Sequence, residues 1–535
     1  MAGPVLSLQN LSVSLPAAAD RSLAVDNISL EVGHGEIVCI VGESGSGKSI
    51  TAHAVMGLLP RGVAAAGGSI LFDGVDLLKE SPEAMRKRRG RDIAMIFQDP
   101  MAALNPVMAI GKQVTEQIRA HRAVSRREAL RHAGDLLGQM GLADVKGLLK
   151  AYPHQLSGGQ RQRVMIAMAL SLSPKLLIAD EPTTALDVTT QAQILKLIKR
   201  IQSTREMSLL FITHDFGVVA DMADHVAVMR HGRIVESGAV RTVLGNATHP
   251  YTRALIAAVP NGESQLPPPA DAAPLLTVSK LDKCFRRGGF LARNPTVKAV
   301  DQVSLTLRRG ETLGIVGESG SGKSTLARCV IRLLDPDAGE ILFDGADIAQ
   351  MGARALRPLR RRIQMVFQDP FSSLNPRERV GDIITAGPRA YGENAGEAKA
   401  RAADILRLVG LNPETMHRFP HEFSGGQRQR IGLARALMLR PDVLIADEPV
   451  SALDVTVQAQ VLKLLDDVRQ QMNLAMLFIT HDMRVAAQVC HRVMVMRHGQ
   501  VVESGPTRDV FAAPSSDYTK ALLAAIPGRG KLAAV

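Results

Sequence analysis

The chain contains no tryptophan, and its aromatic residues amount to only 3%. A core must therefore be aliphatic, and the 46% of hydrophobic residues is ample for one. The four cysteines, Cys39, Cys284, Cys329 and Cys490, stand far apart and form no C-x-x-C pair. That removes the sequence-local signature of a zinc or iron–sulfur site and fits a reduced, cytoplasmic protein. No run of 18 or more apolar residues occurs, so no segment reads as a membrane-spanning helix. The start, Met1-Ala2-Gly3-Pro4, lacks a basic segment followed by an apolar run, so no secretory signal is expected. An acidic surplus is missing too: 64 Lys and Arg face 52 Asp and Glu, for a net charge of +12. Basic charge suits nucleotide, nucleic acid or an anionic membrane surface without choosing among them. A cluster such as Arg86-Lys87-Arg88-Arg89 reads equally well as a solvated face. At 535 residues, more than one core is expected.

What is present is written twice. Gly42-Glu43-Ser44-Gly45-Ser46-Gly47-Lys48-Ser49 and Gly317-Glu318-Ser319-Gly320-Ser321-Gly322-Lys323-Ser324 both read G-x-x-x-x-G-K-S. Each is followed by a glutamine, Gln98 or Gln368. Next comes an S-G-G-Q, Ser157-Gly158-Gly159-Gln160 or Ser424-Gly425-Gly426-Gln427. An acidic pair, Asp180-Glu181 or Asp447-Glu448, and a histidine, His214 or His481, complete each set. The loop lysines stand 275 positions apart, the glutamines 270, and everything from S-G-G-Q to the histidine 267. A tandem duplication with small insertions explains these offsets. Two domains, 1–260 and 275–535, are expected. Between them, 261–274 carries Pro267-Pro268-Pro269, which favours an extended spacer over a helix.

In each copy a short apolar strand runs into each motif. Residues 37–41 and 313–316 lead into the glycine loop, 176–179 and 443–446 into the acidic pair, and 209–213 and 476–480 into the histidine. Continuous apolar strands alternating with helical stretches predict α/β units, each built on a mainly parallel sheet covered on both faces. Helical periodicity at 126–140 and 398–409 predicts a helix-rich insert between the glutamine and S-G-G-Q.

The chemistry follows from residue types. Glycine-loop N–H groups face phosphate oxygens, Lys48 and Lys323 reach the β/γ-phosphates, and Ser49 and Ser324 ligate Mg²⁺. Asp180 and Asp447 close apolar strands, where a carboxylate holds a Mg²⁺-bound water. Glu181 and Glu448 beside them polarise the attacking water. Each S-G-G-Q precedes a basic helix start and forms a second anion site. ATP and Mg²⁺ are the expected cofactors.

The order of glycine loop, glutamine, S-G-G-Q, acidic pair, T/S-A-L-D and histidine resembles the ATP-binding cassette family, twice over nearly the whole chain. The resemblance implies tandem P-loop NTPase domains, each a core sheet with an antiparallel and a helical subdomain. It implies an intramolecular, head-to-tail cassette dimer in which the signature of one half completes the ATP site of the other. Gln98 and Gln368 would contact Mg²⁺ or water, Asp187 and Asp454 would lie in the loop crossing the interface, and His214 and His481 would meet the γ-phosphate. Phe97-Gln98-Asp99-Pro100 with Leu104-Asn105-Pro106 looks like the dipeptide/oligopeptide importer branch, as do Phe367-Gln368-Asp369-Pro370 with Leu374-Asn375-Pro376 and His249-Pro250-Tyr251-Thr252-Arg253. The second tail, Asp517-Tyr518-Thr519-Lys520, is a degenerate version. No cysteine cluster follows either tail, so no iron–sulfur cluster is expected. Phe285 would stack on adenine in the second copy, where the first offers only Leu15.

The implied protein is an ATPase that energises an importer of peptides or related small solutes. It would sit as a peripheral subunit on the cytoplasmic face of the inner membrane. Its partners would be two membrane-spanning permease subunits and an extracytoplasmic solute-binding protein, with no nucleic acid. The alternative is a soluble tandem-cassette ATPase acting on ribosome or nucleic acid, which the basic charge keeps open. Such proteins carry long charged linkers or zinc modules, and neither is found here. Fused sugar-importer ATPases typically have one degraded site, whereas both glutamates are present.

Overall fold

A computed structural model describes residues 3–17, 19–184, 186–260, 273–286, 296–369, 373–451 and 453–529. All of the expected spacer but its last two residues lies outside these. The chain divides into two compact units, Met1–Leu186 and Thr190–Val259 with Pro527–Val535, and Asp187–Thr189 with Pro260–Ile526.

The first unit runs β1 (Leu6–Ser14), β2 (Leu23–Val32), β3 (Ile37–Val41), α1 (Lys48–Met56), β4 (Ala64–Phe72), β5 (Val75–Asp76) and β6 (Ile93–Ile96). Next come α2 (Ile110–His121), α3 (Arg126–Gln139), α4 (Gly158–Ala169), β7 (Leu176–Asp180), α5 (Val188–Arg205), β8 (Ser208–Thr213), β9 (His225–Arg230), β10 (Arg233–Ala239) and α6 (Pro250–Ala257). One sheet has the order β2-β1-β4-β5 and is antiparallel. The other has the order β10-β9-β3-β8-β7-β6 and is parallel except where β10 joins β9.

The second unit repeats this plan. It runs β11 (Pro274–Arg286), β12 (Thr296–Arg308), β13 (Thr312–Val316), α7 (Lys323–Val330), β14 (Ala338–Phe343), β15 (Ala346–Asp347) and β16 (Ile363–Val366). It continues with α8 (Val380–Ala390), α9 (Ala395–Leu408), α10 (Gly425–Leu437), β17 (Val443–Asp447), α11 (Val455–Met472), β18 (Ala475–Thr480), β19 (Arg492–Arg497), β20 (Gln500–Pro506) and α12 (Asp517–Ala524). Its sheets are ordered β12-β11-β14-β15 and β16-β17-β18-β13-β19-β20.

The central strands read as unbroken apolar runs because both faces are covered. In β3, Ile37, Cys39 and Val41 enter the core under the helical insert, while Val38 and Ile40 enter the core against α1 and the antiparallel sheet. Residues Ile110, Val114 and Ile118 of α2 repeat every fourth position and join Ala129, Ala133 and Leu136 of α3 in the first of these cores. The α9 helix begins three residues ahead of the predicted start, because the Asn394 side chain caps it by accepting from the Gly396 N–H at 2.8 Å.

Cys39 has Gly314 as its counterpart, where an added Cβ would lie 2.7 Å from the Cys490 Sγ. Cys490 in turn has Ala223 as its counterpart, which packs against the core containing Cys39. Each unit thus places a cysteine in this part of its core, from the strand in one and from a helix end in the other. Burial pushes the Cys39 and Cys490 thiols well above their ordinary range, so both are inert packing groups.

Candidate functional site

Parallel register brings the carboxyl ends of four neighbouring strands level. Val41 of β3 pairs with Thr213 of β8, Asp180 of β7 with Ile212, and Ile96 of β6 with Ala179. In the second unit Val316 pairs with Thr480, Asp447 with Ile479 and Val366 with Ala446. Ligands of open α/β sheets bind outside these ends.

The first end releases the glycine loop. Gly42 passes so close to β9 that a Cβ there would sit 2.2 Å from the Met229 carbonyl oxygen. Gly47 turns the loop into α1 at φ 108°, in the left-handed region that glycine tolerates. Between them Ser46 N–H donates to the Glu43 carbonyl at 3.2 Å, while Gly45 stands open and its carbonyl accepts from Arg21 at 2.5 Å. Lys48 is only 5% exposed, and its ammonium donates to the carbonyls of Gly42 (2.7 Å) and Glu43 (2.8 Å). Lys323 repeats this with Gly317 and Glu318, both at 2.8 Å. Burial draws the Lys323 pKa down, against the opposing pull of the Glu448 and Asp447 carboxylates.

Ser49 Oγ donates to Asp180 Oδ1 at 3.1 Å, and Ser324 Oγ to Asp447 Oδ1 at 3.0 Å. Burial raises both aspartates above the usual carboxylate range, more than the serine bonds lower them. The neighbouring glutamates behave oppositely. Burial also presses on Glu181, but His214, at 3.3 Å from Oε1, together with Lys48 and Thr184 outweighs it and holds the carboxyl at about 2. Gln98 Nε2 and Thr184 Oγ1 both donate to Glu181 Oε2 at 3.0 Å. Glu448 Oε2 accepts from Gln368 Nε2 at 2.9 Å and lies 3.2 Å from His481 Nδ1. Burial opposes charge on Glu448 and His481 as well, yet their pairing lowers the one and raises the other. Both glutamates have positive φ, 45° and 47°, a conformation uncommon for non-glycine residues and concentrated at functional sites. An acid–base pair with a fixed carboxylate beside an ammonium is suited to polarising water next to a phosphate.

Each S-G-G-Q opens a helix. Ser157 Oγ accepts from the Gln160 N–H at 3.3 Å, and Gln160 Oε1 accepts from the Ser157 N–H at 3.0 Å. Ser424 and Gln427 form the same reciprocal cap. A Cβ at Gly159 would lie 2.7 Å from Thr190 Cγ2, and one at Gly426 2.4 Å from Val457 Cγ1, so the second glycine lets the helix start lie flat on α5 or α11. Gly158 and Gly425 have room to spare. Thus the loop, aspartate, glutamate, glutamine and histidine of one unit come together. The S-G-G-Q bonds stay inside their own turn.

Phe285 stands 42% exposed on β11, its ring 5.9 Å from the Lys283 ammonium, while Leu15 is half-buried against the core. Sequence reading gave no role at the site to Thr184, or to Tyr251 and Tyr518, whose hydroxyls accept from the loop N–H groups of Glu43 (3.3 Å) and Glu318 (3.2 Å). The available signal was that both tyrosines keep the 267-residue offset although the residues before them change.

Comparison with known proteins agrees with this geometry. A family described as ABC transporter matches residues 25–184 and 300–451. One described as Oligopeptide/dipeptide transporter, C-terminal region, matches 235–284 and 502–533, so the tail expected to be degenerate is matched too. Peptidoglycan transport ATP-binding protein YejF of Agrobacterium fabrum is 51% identical over 529 residues, spanning 98% of this chain and 96% of that protein. Glutathione import ATP-binding protein GsiA of Escherichia coli K12 is 49% identical over 564 aligned residues, spanning 98% and 90%. The ribosome or nucleic-acid alternative finds no support among these relatives. Two nucleotide motif sets on two α/β units, with relatives matched from end to end, place this chain in the ABC transporter family as an ATP-binding, ATP-hydrolysing importer subunit.

Proposed function

We propose that the chain, as cassettes 1–260 and 275–535, drives uptake of peptides or peptide-like small solutes such as glutathione. What supports the substrate class is the end-to-end likeness to one protein named for peptidoglycan transport and another named for glutathione import. No described helix is long and apolar enough to cross a membrane, so uptake needs separate permease subunits. We place the chain on the cytoplasmic face of the inner membrane, with two such permeases and an extracytoplasmic solute-binding protein.

In each site the glycine loop and Lys48 or Lys323 hold the phosphates. The oxygen pairs Ser49–Asp180 and Ser324–Asp447 suit Mg²⁺, a hard cation that prefers few protein ligands plus phosphates and water. The ion would neutralise charge between the β- and γ-phosphates. Glu181 and Glu448 take the proton-accepting role towards water, Gln98 and Gln368 orient it, and His214 and His481 face the γ-phosphate. Ser424 and Gly426 complete the Lys48 site from the other half, and Ser157 and Gly159 the Lys323 site.

ATP-driven uptake of labelled di- and tripeptides and glutathione into proteoliposomes holding the chain, its permeases and its binding protein tests the reading. Uptake that needs all components supports it, and ATPase indifferent to every such solute overturns the substrate class. For the cross-pairing, Ser424→Arg should block nucleotide trapping at the Lys48 site. Failure at the Lys323 site alone would overturn it.

A further inference from the structure

The C-terminal helices α6 and α12 have so far no part in the chemistry. Each is set by one carboxylate. Glu236 on β10 accepts from the Thr248 N–H (2.7 Å), the Thr248 hydroxyl (2.9 Å) and the His249 N–H (3.3 Å). Glu503 on β20 accepts from the Ser515 N–H (2.7 Å), the Ser515 hydroxyl (2.8 Å) and the Ser516 N–H (3.2 Å). His249 Nδ1 caps α6 by accepting from the Tyr251 N–H at 3.1 Å, and Ser516 Oγ caps α12 by accepting from the Tyr518 N–H at 3.3 Å. Different residues thus rebuild one turn, and both turns aim a tyrosine at the phosphate loop.

The Tyr251 ring lies 4.7 Å from the Arg230 guanidinium, and the Tyr518 ring 4.8 Å from that of Arg497. Each hydroxyl accepts from the first N–H past the leading glycine of the loop, that of Glu43 or Glu318. The carbonyls of the same two residues accept from the Lys48 and Lys323 ammonium groups. Burial pushes both tyrosine hydroxyls up to about 12, so they stay protonated and neutral beside the loop.

We propose that Tyr251 and Tyr518 are positioning residues for ATP binding, holding Glu43 and Glu318 so that each loop lysine is aimed at the β/γ-phosphates. The C-terminal region is then part of the nucleotide site. By linkage, whatever loosens α6 or α12 weakens ATP, and ATP tightens the helix. This rests on ATP occupying the loops.

The test uses the purified full chain with Tyr251→Phe and Tyr518→Phe together, beside Tyr251→Ala with Tyr518→Ala. Binding of ATP and AMP is measured by calorimetry, with the melting temperature and steady-state ATPase. Removing only the hydroxyls should weaken ATP about two- to tenfold, the range of one neutral hydrogen bond. AMP affinity and melting temperature should stay at wild-type values, because AMP lacks the phosphates the lysine meets. KM should rise with kcat nearly unchanged, since Glu181 and Glu448 are untouched. The alanine pair should lower the melting temperature as well. Wild-type ATP affinity in the phenylalanine pair would overturn the inference. So would equal loss of ATP, AMP and thermal stability, which marks a purely structural role. Failure of the wild-type chain to bind ATP would instead sink the ATP reading on which it stands.

Discussion

Replacing Glu181 and Glu448 by glutamine should separate binding from hydrolysis, and the contacts say how cleanly. Glu181 Oε2 receives both Gln98 and Thr184, whereas Oε1 faces His214. A glutamine oxygen at the Oε2 position keeps both bonds, and its NH₂ can donate to a neutral His214. Glu448 Oε2 likewise serves Gln368 and His481 together. The shape of each site therefore survives while the proton-accepting charge is lost. Lys48 and the Ser49–Asp180 pair are untouched, so ATP affinity should change by less than about threefold, under 1 kcal/mol. Loss of a positioned general base should slow the double variant by about 10²–10⁴, or roughly 3–5 kcal/mol in the barrier. Each single variant keeps about half the rate if the sites fire independently, and falls with the double if they alternate. Phosphate release and fluorescent-ATP titration on the full chain measure both quantities. A double variant retaining more than about a tenth of the wild-type rate refutes the assignment. So does one that loses ATP binding together with the rate. Because the Glu181 carboxyl is held at about 2, its ionisation should leave no acid limb in the wild-type rate above about pH 4.

Three further outcomes are expected. The folded-state pKa of His481 is raised, so its stabilising effect is full below about pH 6.5 and fades as pH climbs through the raised value. His481→Gln should accordingly cost more melting temperature at pH 6 than at pH 8.5, and a pH-independent difference would refute the pairing. Gly314→Cys drives a Cβ to 2.7 Å from Cys490 Sγ and should destabilise by about 1–3 kcal/mol, with adding Cys490→Ala restoring most of the loss. Thermal melts of the two single variants and the double give the coupling, and strict additivity would contradict the sulfur exchange. Phe285→Ala should weaken fluorescent-ATP binding at the second site by about 1–3 kcal/mol, while half-buried Leu15→Ala should chiefly lower the melting temperature. Equal losses of binding would remove the asymmetry.

The strands carrying the chemistry were legible in the sequence because burial on both faces leaves an uninterrupted apolar run. The insert helices were legible because one buried face repeats at helical spacing. The antiparallel sheet was expected from the family resemblance alone, because its residue pattern does not announce it. β4 opens with Ala64-Ala65-Ala66-Gly67-Gly68, all exposed, and its pairing to β1 supplies a backbone ladder that no side-chain pattern announces. The glycine loop and acidic pair were readable as chemistry, since their residue types have few other uses together. Left-handed backbone at Glu181 and Glu448 had no signal, because glutamate does not ordinarily adopt it. Tyr251 and Tyr518 lie 208 and 200 positions from the loop residues they touch, so only the fold brings them there.

The ladder joining β3, β8, β7 and β6 has a consequence for motion. Lysine loop, aspartate, glutamate, histidine and glutamine all hang from the ends of strands whose amides are buried and paired with one another. Such amides exchange with solvent only when the whole unit opens, whereas loop amides exchange through local fluctuations. The spacing between these groups therefore cannot relax by local unfolding. Any response to nucleotide has to come from the segments between these strands, and the glycine loop can take part only by exchanging the bonds that Lys48 and Tyr251 make to it.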